Sequence, residues 1–85
     1  MMILHGARLD RLQRILINTS LDNYPAYFYV VPAAVDAALQ MVYVDPAHSL
    51  QRLENHWARL SPEMERLIRR HGNDFVVTED MLKPV

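Results

Sequence analysis

The amino-acid sequence predicts a mainly α-helical fold, a compact bundle of about four helices in a single domain over residues 1–85, with short extended segments near 26–31 and 75–77. Three observations predict it. Apolar residues recur at helical spacing in residues 3–18 and again between 46 and 71. Asp45-Pro46 and Ser61-Pro62 both have the chemistry of a helix start, a capping side chain followed by proline. The chain is 51% hydrophobic and 22% charged, which provides a core and argues against disorder. A small α+β fold, with residues 27–31 pairing beside 75–77, is the nearest alternative.

The first expected helix covers residues 3–18. Leu9, Leu12 and Leu16 recur along it, with Leu4 and Ile15 beside them, and Asn18-Thr19-Ser20 reads as its end. Residues 24–44 form the most apolar stretch. Pro32 divides it into an aromatic, β-branched lead, Tyr24 to Val31, and a helix over residues 33–43. Asp36 and Gln40 lie four apart on that helix and the rest of its circumference is apolar, so it is expected to be the buried central helix. A membrane span is not expected here, because Asp36 sits near the middle and Pro25 and Pro32 interrupt the stretch.

The third helix is expected over residues 46–60, with Leu50, Leu53, Trp57 and Leu60 on one stripe and His48, Arg52 and Arg59 opposite. The fourth follows over residues 62–71. Met64, Leu67, Ile68 and His71 mark its apolar face, Glu63 and Glu65 sit in its first turn, Arg69 and Arg70 in its last, and Gly72 ends it. Thr78 is expected to cap a last helical turn, and residues 83–85 to fray.

Net charge is −1 and there is no cysteine. The first gives no whole-molecule attraction for nucleic acid, and the second removes disulfide and thiolate chemistry. A cysteine-free chain without a secretory signal fits the cytoplasm. His5, His48, His56 and His71 include no HxxxH or HxH pair, so no metal site is expected. Only two glycines exist, which leaves no phosphate-cradling loop, and no nucleophile motif is present. No cofactor, catalytic residue or enzymatic activity is therefore assigned.

Two groups of residues are candidates for partner binding. Arg8, Arg11 and Arg14 recur every three residues, and arginine suits bidentate contacts to phosphate or carboxylate. Tyr24, Tyr27, Phe28 and Tyr29 form an aromatic run. In a strand, Tyr27, Phe28 and Tyr29 cannot all face one side, so at least one points away from the core. Tyrosine is also enriched in binding interfaces. The sequence is therefore read as a protein-binding regulator, inhibitor or accessory subunit, expected to form a homodimer or to bind a protein partner. The alternative is a nucleic-acid-associated regulator using arginine-bearing helix faces.

Overall fold

The structure, a computed structural model, describes residues 2–85. It is an α+β fold. The chain runs β1 (Met2–Leu9), β2 (Ile15–Leu21), β3 (Tyr24–Val30), α1 (Pro32–Ala38), α2 (Pro46–Asn55), α3 (Trp57–His71) and β4 (Val76–Val77). The strands form one sheet in the order β1-β2-β3-β4, with β1 and β3 antiparallel to β2 and β4 parallel to β3. Helix makes up 38% of the structure and strand 29%, too much strand for a four-helix bundle.

The expected first helix is instead the β1–β2 hairpin. Leu4, Ala7 and Leu9 on β1 pair with Thr19, Ile17 and Ile15 on β2 and face the core. An irregularity between Leu4 and Gly6 puts one extra residue, His5, into β1. The extra residue turns an inward spacing of two into the Leu4-to-Ala7 spacing of three, which imitates a helix. Asp10 closes the hairpin. Its carboxylate accepts hydrogen bonds from the backbone N–H groups of Leu12 and Arg14 (both 2.9 Å) and from Arg14 Nε (2.8 Å). Gln13 holds a φ of 60° there, a left-handed conformation usually announced by glycine or asparagine.

The second hairpin turns at Asp22-Asn23, with φ of 51° and 72°. Two successive left-handed residues between paired strands match the twist of an antiparallel hairpin. β3 then pairs with β4 through Tyr29 and Val76, and through Val30 and Val77. The partners of the 27–31 segment are thus the residues named in the α+β alternative.

All three helices pack on one face of the sheet. Ile15, Ile17, Phe28 and Val30 meet Val35, Leu53, Leu60, Met64 and Leu67 there, all with at most 2% exposure. Thr19 is buried in the same layer and donates its hydroxyl proton to the Ala26 carbonyl at 2.9 Å.

Helix boundaries differ from expectation in three places. α1 stops at Ala38, and Gln40 takes a φ of 58°, so Met41 to Val44 leave the helix and extend into solvent. α2 ends at Asn55, and α3 starts at Trp57, running through Ser61-Pro62 without a break. Pro62 lacks the N–H that would bond the Ala58 carbonyl, yet Leu60, Met64 and Leu67 are buried on one face of this continuous helix. Residues 83–85 are tied down instead of frayed: the Val85 N–H donates to the Ala38 carbonyl at 2.9 Å, and its own carbonyl accepts from Arg59 at 2.9 Å. Thr78 starts a turn instead of a helix, its carbonyl accepting from the Met81 N–H. Asp45 caps α2 as expected, accepting from the His48 N–H at 2.8 Å, and Gly72 ends α3 with a φ of 77°.

Candidate functional site

With the helices on one side, the other face of the sheet is uncovered. Strand alternation decides what it carries. One cross-strand row consists of Arg8, Leu16, Tyr29 and Val76, and the next of Gly6, Asn18 and Tyr27. His5, displaced by the irregularity in β1, is hydrogen-bonded to Ser20 with its Nε2 2.9 Å from the hydroxyl. No acidic residue occupies an outward position on any of the four strands.

The aromatic run divides as period-two geometry requires. Phe28 turns inward, is fully buried and stacks on Phe75 with ring centroids 5.4 Å apart, so it does not reach the open face. Tyr27 and Tyr29 turn outward. Tyr27 is 41% exposed, and its strand edge is pinned: Asn73 Oδ1 accepts from the Tyr27 N–H, and the Asp74 N–H donates to the Tyr27 carbonyl, both at 3.0 Å. Tyr29 is half-buried beneath Arg14, whose guanidinium carbon lies 4.2 Å from the ring centroid. Tyr24, at the start of β3, is exposed away from these rows, beside a groove lined by Leu21, Ile68 and Arg69.

The three arginines do not share a helix face. They belong to the β1–β2 hairpin: Arg8 on β1, Arg11 in the turn and Arg14 just before β2. The hairpin brings Arg8 and Arg14 to the same end of the open face. Arg8 and Arg11 flank a cleft of about 450 Å³ with Leu9 and Asp10. Neither has an acidic partner among the described residues. Arg14 is held by Asp10. Burial pushes the Asp10 carboxyl up, but hydrogen bonds from the Arg14 backbone, the Arg14 guanidinium and the Leu12 N–H outweigh it and hold the group below the ordinary aspartate value. That carboxylate therefore stays charged and keeps the Arg14 plane over Tyr29.

Two of the four arginines of α3 are held in ion pairs, while exposed Arg70 has no ion-pair partner among the described residues. Arg66 makes two hydrogen bonds to Glu63, at 3.1 and 3.0 Å, and Arg69 reaches Asp22 at 2.7 Å and Glu65 at 3.5 Å. Paired charges of this kind have less to offer a ligand than Arg8 and Arg11.

Two further features lay outside the reasoning from sequence. Asp36, expected on a polar stripe beside Gln40, is 1% exposed and forms an ion pair with Arg52. Ser49, fully buried, donates its hydroxyl proton to the other Asp36 oxygen. Arg52 was expected on the solvent side of its helix. Its signal was an acid inside an otherwise apolar segment, which needs a partner when buried. The second feature is Met41-Val42-Tyr43-Val44, four consecutive apolar residues between 36% and 83% exposed.

Comparison of the chain with protein-family models, curated proteins and solved structures yields no match. No described helix is long and apolar enough to cross a membrane.

Proposed function

We propose that this chain is a nucleic-acid-associated protein that holds a single strand across the open face of its sheet. The observation that carries the reading is the juxtaposition of Arg8 and Arg14 with Tyr27 and Tyr29 on an uncovered sheet that has no outward acid. Flat aromatic surfaces accept unpaired bases by stacking, and adjacent cations follow the phosphates. A duplex keeps its bases stacked on one another, so an aromatic sheet face favours the single strand. The arginine plane on Tyr29 is itself a surface on which a base stacks. Net charge of −1 makes the attraction local to this face and not a property of the whole molecule. The cysteine-free composition supports a cytoplasmic setting for this activity.

Fluorescence anisotropy with labelled ten-nucleotide RNA and DNA strands, roughly the span of one binding domain, tests it. Binding should weaken with salt at a log–log slope of about −1.4 if the unpaired Arg8 and Arg11 each neutralise one phosphate. Tyr27→Ala should cost about 1–3 kcal/mol for the base it stacks. Absence of binding at about 50 mM salt, or binding indifferent to both Tyr27→Ala and Arg8→Ala, would overturn the proposal.

A protein-binding regulator or accessory subunit is the second reading, and the Met41–Val44 segment favours it. Four exposed apolar residues in a row are unusual without a partner, whether another protein or a second copy of the chain. Sedimentation equilibrium of the wild type and of Val42→Ser/Val44→Ser tests it. Loss of association in the double variant supports the reading, and a wild-type monomer that captures no partner removes it.

A further inference from the structure

We infer that the free edge of β1 is a homodimer interface, at which β1 pairs antiparallel with β1 of a second copy and joins the two sheets into one. The inference does not depend on the single-strand reading, and its test uses no nucleic acid. β1 stands at the end of the strand order with β2 as its one neighbour. Among the described residues, no backbone hydrogen bond outside the sheet pairing involves β1. Natural edge strands are commonly blunted by lysine, proline or a charge turned inward. β1 has none of these, and its one charged residue, Arg8, turns outward. On its inward side Leu4, Ala7 and Leu9 stay half-buried at the margin of the core, where a further strand would cover them.

The extra residue in β1 decides the occupant. The inward positions are Met2 and Leu4 before it and Ala7 and Leu9 after it. A regular strand laid along this edge must leave His5 unpaired, as β2 does. A second β1 brings an extra residue of its own. With a twofold axis between His5 and Gly6, Met2 meets Leu9 of the second copy, Leu4 meets Ala7, His5 meets Gly6 and Ile3 meets Arg8. Every inward residue then faces an inward one, and every outward residue an outward one. Sliding by one residue sets inward against outward at every pair off the axis. Sliding by two puts Leu4 opposite His5 in one direction and Ala7 opposite Gly6 in the other. One register of self-pairing is therefore consistent over the whole strand, and the irregularity of β1 itself selects it.

The side chains suit the same register. The two Arg8 residues fall on opposite sides of the axis, roughly 15 Å apart along the strands, so no like charges face each other. Each Arg8 lays its stem on Ile3 of the second copy, an outward side chain that is 50% exposed in one chain alone. At the centre the His5 ring leans away onto Ser20 of its own sheet, and Gly6 has no side chain to obstruct the approaching strand. Matching inward to inward sets the axis perpendicular to the sheet. Both helical layers then lie on one side, and the two open faces become one continuous surface on the other.

Sedimentation equilibrium of the full chain, from micromolar to millimolar concentration, should show a reversible dimer. Ile3→Lys puts a lysine opposite Arg8 at both ends of the interface and should weaken the dimer about tenfold. Ile3→Glu puts an acid there and should leave the dimer at least as tight as the wild type. Ile3→Lys/Arg8→Glu reverses both charges and should restore it. Circular dichroism shows whether each variant is folded. The chain has no cysteine, so introduced ones report the register directly. Under mild oxidation a mixture of Ile3→Cys and Arg8→Cys chains should form the mixed disulfide, and either chain alone should form little. A wild type that stays monomeric at the highest concentration overturns the proposal. So do equal dimer constants for Ile3→Lys and Ile3→Glu, or Ile3→Cys chains that cross-link to each other as readily as to Arg8→Cys. A dimer indifferent to residue 3 and lost in Val42→Ser/Val44→Ser also overturns it and assigns association to the segment after α1.

Discussion

Arg52 reaches from α2 to place Nη1 2.5 Å from the buried carboxylate of Asp36 on α1. The same nitrogen donates to the Val42 carbonyl at 2.7 Å. One guanidinium thus neutralises a buried acid and holds the segment that follows α1. Removing it leaves the buried Asp36 carboxyl without its cation, with the Ser49 hydroxyl as its remaining side-chain partner. Arg52→Ala should cost about 3–5 kcal/mol, whereas the apolar pair Asp36→Leu/Arg52→Met should be near neutral or better. Ser49 then keeps an acceptor in the Asp45 carbonyl, 3.2 Å away. Urea unfolding checks both variants; a cost below about 1 kcal/mol for Arg52→Ala would show that the pair does not join the two helices.

Phe28 and Tyr27 are sequence neighbours with opposite fates. Phe28→Ala opens a cavity in the centre of the core and should cost about 3–5 kcal/mol, a large share of the stability of an 85-residue domain. Tyr27→Ala should cost less than about 1 kcal/mol because its ring faces solvent. Thermal unfolding of the two variants gives the comparison, and equal losses would contradict the inward and outward assignment.

Asp10 organises the β1–β2 turn. In Asp10→Ala the amides of Leu12 and Arg14 lose their acceptor, and the Arg14 guanidinium loses its tether over Tyr29. Hydrogen exchange should accelerate at these two amides while the Ile17 amide, within the paired strands, stays protected. Unchanged exchange at Leu12 and Arg14 would mean that the backbone alone fixes the turn.

Five carboxyls are held below their ordinary values, 3.8 for aspartate and 4.5 for glutamate. Besides Asp10, a hydrogen bond from Arg69 lowers Asp22, the His48 N–H lowers Asp45, Arg66 lowers Glu63, and the Thr78 hydroxyl lowers Asp80. With folded-state values depressed, the unfolded chain binds protons first. The stabilisation is complete above the ordinary carboxylate range and disappears as pH falls through the depressed values. The melting temperature should be level from neutrality to about pH 5 and decline toward about pH 3, with a shallow slope because all five groups are in contact with solvent and none is fully buried. A melting temperature that rises over the acid range would contradict the sign.

Much of the helical half was legible. Asp45-Pro46, Gly72 and most of the two expected stripes are local signals: Leu53, Leu60, Met64, Leu67 and Ile68 are buried, whereas Leu50 and Trp57 are half-buried and His71 is exposed. The strand half was hidden by two local disguises. The extra residue at His5 broke the alternation of β1, and the first turn used Gln13 where glycine or asparagine would have marked it. Asp22-Asn23 was readable as a hairpin turn and lay between two runs that pair in register. At the site, period two separated Phe28 from its neighbours, but the meeting of Arg14 with Tyr29 depends on a long-range pairing that one segment does not encode. The same holds for Arg52 and Asp36, sixteen residues apart on different helices.

The strand order has a consequence for the history of each molecule. β1, β2 and β3 are consecutive in the chain and joined by tight turns, so they can zip together while the rest is still being synthesised. β4 arrives more than forty residues later, after all three helices. Until Val76 and Val77 dock, β3 presents a bare edge to every other nascent chain, and Phe28 lacks the ring of Phe75. The interval between the emergence of Val30 and Val77 is the period of greatest exposure to intermolecular strand pairing. A shorter interval, through faster elongation or prompt helix docking, directly raises the yield of native protein.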